Sequence, residues 1–308
     1  MNKHFAANFF NLLIIIVIGI SGLVFWSKAE FYRDGPLEQA LFIEVPRGGN
    51  VVALSKELEE QGAVRHGAIM RLGSDYLGKT SKLKYGNYEI PAHASIADIL
   101  DIVTKGGRSS FRYVARYSVK VTGPANLTLR ERSTSGADPV VLASFVMGEE
   151  LPEAYAKLKS AKTAVSYRVS VAEGATSWQI VAALNAAVFL TGVALDVPDE
   201  GRVAPDTVEV RAGRARSDIV AKMTKAQTAI LAEAWASRAD DLPFKSPQEA
   251  LILASIVEKE TGVKSERGEV AGVFVNRLNK GMKLQTDPTV IYGLTEGKAP
   301  LGRGLRRS

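Results

Sequence analysis

Hydrophobic and polar positions divide the chain into one apolar stretch, two α/β segments and a helical segment. Residues 9–26 read FFNLLIIIVIGISGLVFW, which contains no charge and only Asn11 and Ser21 as clear polar interruptions. At about 1.5 Å of rise per residue, about 18 residues span most of the hydrocarbon core of a bilayer. Trp26 stands at the end of the stretch, where an indole ring suits the lipid–water interface. We predict a transmembrane helix at residues 9–26.

The alternative interpretation of this stretch is a cleaved signal peptide. The small-x-small sequence at residues 27–29 is a poor cleavage site because two bulky aromatic residues precede it. Basic residues flank both ends, so the positive-inside bias is weak. We predict an uncleaved anchor with residues 1–8 in the cytoplasm, the rest of the chain outside, and a polar stalk at residues 27–40.

The first α/β segment begins with a predicted strand at Leu41–Val45. Asn50 is a suitable N-cap for a helix in which Val51, Leu54 and Leu58 follow at helical spacing. The further predicted elements are a helix at 66–77, a strand at 85–90, and a helix from its N-cap at Ser95 to Gly106-Gly107.

A similar pattern returns later in the chain. Four positions of the first segment match the second at an offset of 126, and five match at an offset of 120. The pairs at the first offset are Val45/Val171, Gly48/Gly174, Leu54/Ile180 and Leu58/Leu184, and those at the second are residues 88–90 with 208–210 and 99–100 with 219–220. Two strand–helix–helix–strand–helix units are the simplest account, although two unrelated α/β stretches would also share such a pattern.

The residues between and after these segments differ in character. Residues 108–165 are interpreted as an insertion or linker, in which Phe111–Val121 alternates like a strand and Ser133–Asp138 is a loop. From about residue 216 the pattern is helical. The predicted helices are one at 219–239, one with Ser246 as N-cap, Pro247 at its first position and Glu249 three after the cap, and one from Glu266 to Lys280. The fold class is α+β.

Composition excludes several kinds of function. The chain has 308 residues, a formal net charge of +6 and no cysteine, so disulfides, iron–sulfur clusters and thiol nucleophiles are excluded. The charge is mild, and no zinc-finger pattern, RNP-like strand or long basic run indicates nucleic acid. Three histidines are scattered without metal-site spacing. We expect no metal and no cofactor.

Two glutamates near the end of one predicted helix are candidates for acid–base chemistry. Glu258 and Glu260 are about 200° apart on a helix, so they point to opposite sides and form no carboxylate pair. Glu260 continues the apolar row of Leu253, Ile256 and Val257. A carboxyl group at the edge of an apolar face tends to keep its proton, as a general acid for a glycosidic oxygen must. The alternative for Glu260 is a surface residue that pairs with Lys259 or Arg267.

Two further clusters have structural and functional interpretations. Ser265 and Glu266 suit an N-cap and a dipole role at the start of the next helix. Gln285, Thr286 and Asp287 place hydrogen-bonding groups before a rigid proline. The second cluster suits either the hydroxyl and amide groups of a sugar or a capped turn.

Three stretches closely resemble the YceG-like family of endolytic murein transglycosylases. They are ASIVEKETG at 254–262, VFVNRL at 273–278 and GMKLQTDPTVIYG at 281–293. The resemblance implies an inner-membrane anchor, a LysM-like peptidoglycan-binding region and a periplasmic catalytic domain. It also implies cleavage of the MurNAc–GlcNAc β-1,4 bond of nascent glycan strands, with glycan polymerases and the elongation or division machinery as partners.

The resemblance also implies residue roles. Glu260 matches the second glutamate of the family's E-K-E motif and is expected to be the catalytic acid and base. Gln285, Thr286 and Asp287 are then expected to lie in the cleft, and Asn276 and Arg277 to be scaffold. The implied reaction is a lyase step in which the MurNAc 6-hydroxyl attacks the anomeric carbon to give a 1,6-anhydro end.

Family members continue past the position of Ser308, so the catalytic domain is expected to be truncated here. The predicted organisation is a cytoplasmic N-terminus (1–8), transmembrane helix (9–26), stalk (27–40), LysM-like region (41–107), insertion or linker (108–165), second α/β unit (166–220) and truncated catalytic domain (221–308). Two other hypotheses are a membrane-anchored binding protein without activity and a hydrolase that uses Glu260 and Asp287.

Overall fold

The computed structural model describes residues 2–107, 109–135 and 137–298, with side chains from residue 8 onward. Met1 and residues 299–308, the last part of the predicted catalytic domain, lie outside the described residues. The described helices and strands, in chain order, are α1 (Asn2–Tyr32), β1 (Leu41–Val45), α2 (Val51–Glu60), α3 (Gly67–Tyr76), β2 (Gly86–Ile90), α4 (Ile96–Lys105), β3 (Tyr113–Val119), β4 (Asn126–Glu131), β5 (Val140–Val146), α5 (Glu153–Ser160), β6 (Val165–Val171), α6 (Ser177–Ala186), β7 (Thr207–Arg211), α7 (Arg216–Ala236), α8 (Pro247–Glu260), α9 (Arg267–Asn279) and α10 (Asp287–Thr295).

These elements form two compact units. The first contains the chain up to Arg112 together with Arg132–Val140, and the second contains Tyr113–Glu131 and the chain from Val141 onward. Helices and strands are mixed in both units, as predicted for an α+β chain. The finer domain boundaries inside these units stay predictions.

The first unit is a two-stranded antiparallel sheet covered by helices. β1 and β2 pair from Leu41↔Ile90 to Val45↔Gly86. The predicted caps are confirmed: the Asn50 side chain accepts a hydrogen bond from the Ala53 amide at 2.8 Å, and Ser95 forms a capping box with Asp98. The core of the unit combines residues from both strands and from α2, α3 and α4, among them Ile43, Leu58, Met70, Ile90 and Ile99.

Helix α1 is longer than the predicted membrane span. It continues past Trp26 to Tyr32, so the first residues of the predicted stalk at 27–40 are helical. Phe31 is buried in the core of the first unit, and a Cβ atom at Gly73 would overlap its ring. The helix at residues 8–32 contains an 18-residue apolar window that is long enough to cross most of a bilayer, and none of that window is buried within the protein.

The second unit contains a five-stranded sheet in the order β5-β4-β3-β6-β7. β3 pairs in parallel with β6 and antiparallel with β4, and β6 pairs antiparallel with β7. Residues 108–165 therefore contain three strands of this sheet and helix α5, whereas we predicted one strand within an insertion or linker. The core lies between one face of the sheet and residues of α5, α6 and α7.

The predicted repeat is confirmed in strand register. In the first copy, Ile43 lies opposite Tyr88. The equivalent residues of the second copy are Val169, which is 126 positions after Ile43, and Val208, which is 120 positions after Tyr88, and they also lie opposite each other. The second copy, however, has no second helix between Ala187 and Thr207, so that part of the prediction is wrong. Residues 191–206 contain two prolines and two glycines, which disfavour a helix. The Asn185 side chain holds this loop through both the amide and the carbonyl of Leu195.

Candidate active site

The helical segment that follows α7 is built around a small core. Ser246 caps α8 by accepting a hydrogen bond from the Glu249 amide at 3.3 Å. Glu249 accepts from the Lys245 amide rather than from the amide of the cap residue. Helix α8 then contributes three buried residues that pack with Phe274 of α9, namely Leu253, Ile256 and Val257. The predicted buried row of α8 is therefore present.

Glu260 is the last residue of α8, and its side chain is exposed. We expected partial burial at the edge of the apolar row, and that expectation is wrong. The reason is that the core cluster ends one turn earlier, at Val257, and the backbone turns extended at Thr261. Glu260 is therefore exposed to solvent at the C-terminal end of α8.

Thr286 lies against Glu260. Its hydroxyl Oγ1 donates a hydrogen bond to Glu260 Oε1, although 26 residues separate the two in the chain. Thr286 is buried and is the N-cap of α10, yet its side chain makes no capping bond to that helix. The hydroxyl bonds to Glu260 instead. This hydrogen bond links two of the stretches that carry the family resemblance, those at 254–262 and 281–293.

Gln285 and Asp287 lie on either side of Thr286, and both are exposed. Gln285 has φ of +51°, in the left-handed region, where a residue with a side chain costs about 1 kcal/mol or more. Asp287 is the first residue of α10, and its carboxylate lies where the helix dipole favours negative charge. Of the three predicted cleft residues, Gln285 and Asp287 are therefore exposed, and Thr286 between them is buried and contacts Glu260.

Glu258 points away from this turn, as the helical spacing predicted. Its Oε2 forms an ion pair with Arg267 at 2.7 Å. Lys259 donates to the Gly174 carbonyl oxygen at 2.5 Å. Both cations proposed as surface partners of Glu260 are thus engaged elsewhere, and within the described part of the chain Glu260 forms no ion pair.

The sequence did not indicate the contacts that hold this site to the rest of the second unit. The turn between β6 and α6 receives Lys259 at Gly174, Arg267 at Glu173, and the C-terminal end of α10, whose Gly297 carbonyl accepts from Thr176 Oγ1 at 2.8 Å. Burial removes water from the Lys259 ammonium group and lowers its pKa below the ordinary value. The negative charges of Glu258 and Glu200 act in the opposite direction. The only sequence signal for this turn was Gly174, at a repeat position.

The start of α9 differs from the prediction. Ser265 lies inside a short 3-10 turn at Lys264–Glu266 and caps nothing, and Glu266 is the N-cap residue. Glu266 Oε2 accepts a hydrogen bond from Thr261 Oγ1 at 2.9 Å. Because Thr261 directly follows Glu260, this contact fixes the backbone where α8 ends.

The predicted scaffold role of Arg277 agrees with its contacts. Its guanidinium donates to the carbonyl oxygen of Leu284, and its own carbonyl accepts from the Met282 amide at 2.8 Å. Both contacts hold the loop that leads into Gln285 and Thr286. Arg277 therefore positions the turn that carries the hydroxyl partner of Glu260.

An exposed carboxyl group at a helix end, held by a buried hydroxyl beside an exposed polar turn, defines a candidate acid–base site. The profile of the YceG-like family matches residues 144–307, more than half of the chain and the whole of this site. The chain belongs to the YceG-like family.

Curated relatives of this chain are named endolytic murein transglycosylase. One from Streptococcus pneumoniae (strain D39) is 24% identical over 321 aligned positions, which cover 98% of this chain and 51% of the relative. One from Bacillus subtilis (strain 168) is 28% identical over 246 positions, which cover 69% of this chain and 64% of the relative. The chain thus spans about half the length of the streptococcal relative and under two thirds of the other.

A crystal structure of a YceG-like protein from Listeria monocytogenes covers 86% of this chain and 79% of its own. It is 20% identical with a TM-score of 0.33, a similarity too low to support any inference about the site.

Proposed function

We propose that this chain is an endolytic lytic transglycosylase that cleaves the MurNAc–GlcNAc β-1,4 bond of nascent peptidoglycan strands, leaving 1,6-anhydro-MurNAc ends and terminating elongation. The observation that carries the proposal is the hydrogen bond from Thr286 to Glu260. It brings together two family-like stretches at the side chain of Glu260, which is exposed. The names of the curated relatives support the same class of reaction.

The proposed reaction needs one carboxyl group. Protonated Glu260 gives its proton to the GlcNAc O4 oxygen as the bond from that oxygen to MurNAc C1 breaks. The resulting carboxylate then accepts the proton of the MurNAc 6-hydroxyl, whose oxygen bonds to C1. Glu260 is thereby restored, no water is consumed, and no second carboxylate is required, in contrast to inverting hydrolases.

Thr286 supports this role by fixing one carboxyl oxygen. A hydroxyl that donates to Oε1 sets the orientation of the carboxyl group, while Oε2 remains available for proton transfer. Gln285 and Asp287, exposed on the same turn, are proposed to bind the hydroxyl and amide groups of the sugars beside the cleaved bond.

We also propose that α1 is an uncleaved single-pass anchor in the inner membrane, with the catalytic part in the periplasm. The contacts of its last turns support retention, because Trp26 lies 5.4 Å from the His66 ring and Glu30 is buried against Arg33 and Arg65. Residues 41–107 are proposed to be a LysM-like peptidoglycan-binding region. Glycan polymerases and the elongation or division machinery are the proposed protein partners.

The decisive experiment incubates the full chain, in detergent, with nascent uncrosslinked glycan strands and identifies the new ends by mass spectrometry. Glu260→Gln is expected to lower the rate by at least about 10²-fold, since it removes the group that carries the proton in the proposed reaction. Glu258→Gln is the matched control on the same helix and is expected to retain activity, because its partner is Arg267.

The chemistry of the ends separates the hypotheses. Anhydro ends that disappear in Glu260→Gln support the lyase. Reducing ends would instead indicate a hydrolase that uses Glu260 with Asp287. A folded chain that binds strands and produces neither kind of end would be a membrane-anchored peptidoglycan-binding protein, and the proposed activity would be wrong.

A further inference from the structure

The sheet of the second unit has one face directed away from its core. Inward residues such as Tyr117, Leu129 and Val169 are buried, and the residues between them along each strand lie on the opposite face. That opposite face is polar and carries arginines on four strands, namely Arg130 on β4, Arg116 on β3, Arg168 on β6 and Arg211 on β7. Strand β7 also places one carboxylate, that of Glu209, on this polar face.

Two of these arginines are direct neighbours. The parallel register of β3 and β6 pairs Arg116 with Arg168, and both side chains are exposed. Like charges directly opposite one another destabilise a sheet. Among the described residues, neither guanidinium has a hydrogen bond or an ion pair. Glu209, opposite Arg168 on β7, instead accepts from Ser166 Oγ at 2.9 Å. Arg116 and Arg168 are therefore a like-charge pair in which neither guanidinium forms a salt bridge with a described residue, although Glu209 lies opposite Arg168 in the strand register.

The next row toward the end of β6 consists of uncharged hydrogen-bonding groups. The register aligns Asn126, Ser118, Ser170 and Thr207 across four strands. Ser170 Oγ and Thr207 Oγ1 are 2.9 Å apart. Hydroxyl and amide groups of this kind suit the hydroxyls and acetamido groups of sugars.

Strand β6 leads from this face of the sheet to the turn that contacts the candidate active site. Beyond Ser170, strand β6 ends at Val171 and enters the turn at Glu173 and Gly174. That turn receives Arg267 and Lys259, the residue next to Glu260. A strand bound along the sheet would therefore lead toward the end of α8.

We propose that the arginine face, defined as Arg116, Arg130 and Arg168 with the row at Ser118, Ser170 and Thr207, binds the glycan strand outside the cleavage position. The carboxylates of its stem peptides bind to Arg116 and Arg168, since a guanidinium pairs with a carboxylate through two parallel hydrogen bonds. The glycan strand is proposed as the ligand because its charge is complementary: Arg116 and Arg168 are two neighbouring cations without a salt bridge to any described residue, and the strand carries a carboxylate on each repeat. The inference rests on the proposed function, whose substrate it places on the protein.

The test measures binding of full-length Glu260→Gln, which binds without cleaving, to uncrosslinked strands that carry stem peptides. Each arginine contributes about tenfold in affinity by the usual strength of charged hydrogen bonds, so Arg116→Gln with Arg168→Gln is expected to weaken binding about 100-fold. The matched control is Arg202→Gln with Arg214→Gln, which removes the same charge from exposed ion pairs of the same unit and is expected to bind normally.

Two ligand controls identify the recognised group. Strands whose carboxylates are amidated, and neutral chitin oligosaccharides with the same linkage, are expected to bind about 100-fold more weakly and to be insensitive to the two arginine substitutions. The inference is overturned if the double variant binds like its control, if amidated strands bind as tightly as native ones, or if polyphosphate competes as well as the strands.

Cleavage kinetics distinguish failure of this inference from failure of the proposed function. In the chain that retains Glu260, the double arginine variant is expected to raise KM about 100-fold and to leave kcat within about twofold, because it loses binding and no acid–base group. Weakened binding together with a Glu260→Gln chain that still cleaves would uphold the arginine face and overturn the catalytic assignment. Folding of the double variant is checked by its Tm, which is expected to equal or exceed that of the wild type, since a like-charge pair is removed.

Discussion

The two copies of the repeat use the same local plan in different surroundings. In the first copy, β1 and β2 form a complete sheet on their own, and a second helix fills the space between them. In the second copy, β6 and β7 are the last two strands at one edge of a five-stranded sheet. A loop takes the place of the second helix between α6 and β7. In the turn after the first strand, a Cβ atom added at Gly48 would meet nothing within 4 Å, whereas the carbonyl oxygen of Gly174 accepts a hydrogen bond from Lys259. The same local motif can therefore complete a small unit or attach a candidate active site.

The largest expected effect concerns the buried leucine shared by the copies. Leu58 and Leu184 are both 0% exposed. Leu58→Ala and Leu184→Ala should each cost about 2–5 kcal/mol, through lost burial and a cavity. Hydrogen exchange followed by mass spectrometry should locate each loss within its own unit. If either change left exchange unaltered throughout the chain, the equivalence of the two cores would be wrong.

The next effect belongs to the second copy alone. Tyr117, fully buried, donates to the Ala183 carbonyl oxygen at 2.8 Å, and burial raises its pKa from 10.0 to about 12. The unfolded chain therefore loses this proton at lower pH than the folded one. The stability from this group is complete below pH 10 and falls by about 2–3 kcal/mol as pH rises through about 12.

Urea unfolding between pH 9 and pH 12 measures this alkaline loss. In Tyr117→Phe the part due to this residue should be absent, so the curve should be flatter than that of the wild type. Tyr113→Phe, on the same strand, is the control. Identical slopes for wild type and Tyr117→Phe would contradict the assignment.

A smaller effect separates the two glycine turns. Gly48 and Gly174 both have φ of +78°, so alanine at either position costs about 1–2 kcal/mol of backbone strain. A Cβ atom at Gly48 meets nothing within 4 Å, while at Gly174 it lies 3.3 Å from Lys259 Nζ. Gly174→Ala should therefore also lower strand cleavage, and Gly48→Ala should not. Equal activity of the two variants would show that this turn does not support the site.

The smallest effect concerns the helix caps that follow these turns. Asn50 and Thr176 both cap through the side chain, so alanine at either should cost about 1 kcal/mol. Thr176 also donates to Gly297, so its variant should in addition increase hydrogen exchange at the end of α10. Thr176→Ser keeps both bonds and is expected to behave as the wild type. Exchange at α10 unchanged in Thr176→Ala would argue against this attachment.

The sequence by itself determined the helix caps and the strands shared by the two copies of the repeat, but not β4, β5 and α5 or the loop that replaces the second helix in the second copy. Caps such as Asn50, Ser95 and Ser246 satisfy helix amides within a few residues, and apolar spacing defines the buried side of each element. These effects act over short stretches of chain, so they can be read without a structure. The repeat was equally accessible, since register follows from which residues must face a core.

Only the tertiary structure decided which distant segments meet. In the folded chain Thr286 donates a hydrogen bond to Glu260, and Arg267 forms a salt bridge with Glu258. The strand register also brings Arg116 next to Arg168. It also corrected the expected burial of Glu260, because burial depends on what packs against a helix end and not on the row that the residue continues. Partner choice between residues far apart in the chain is set by strand pairing and helix packing, and for that physical reason the site and the arginine face emerged only when the chain was folded.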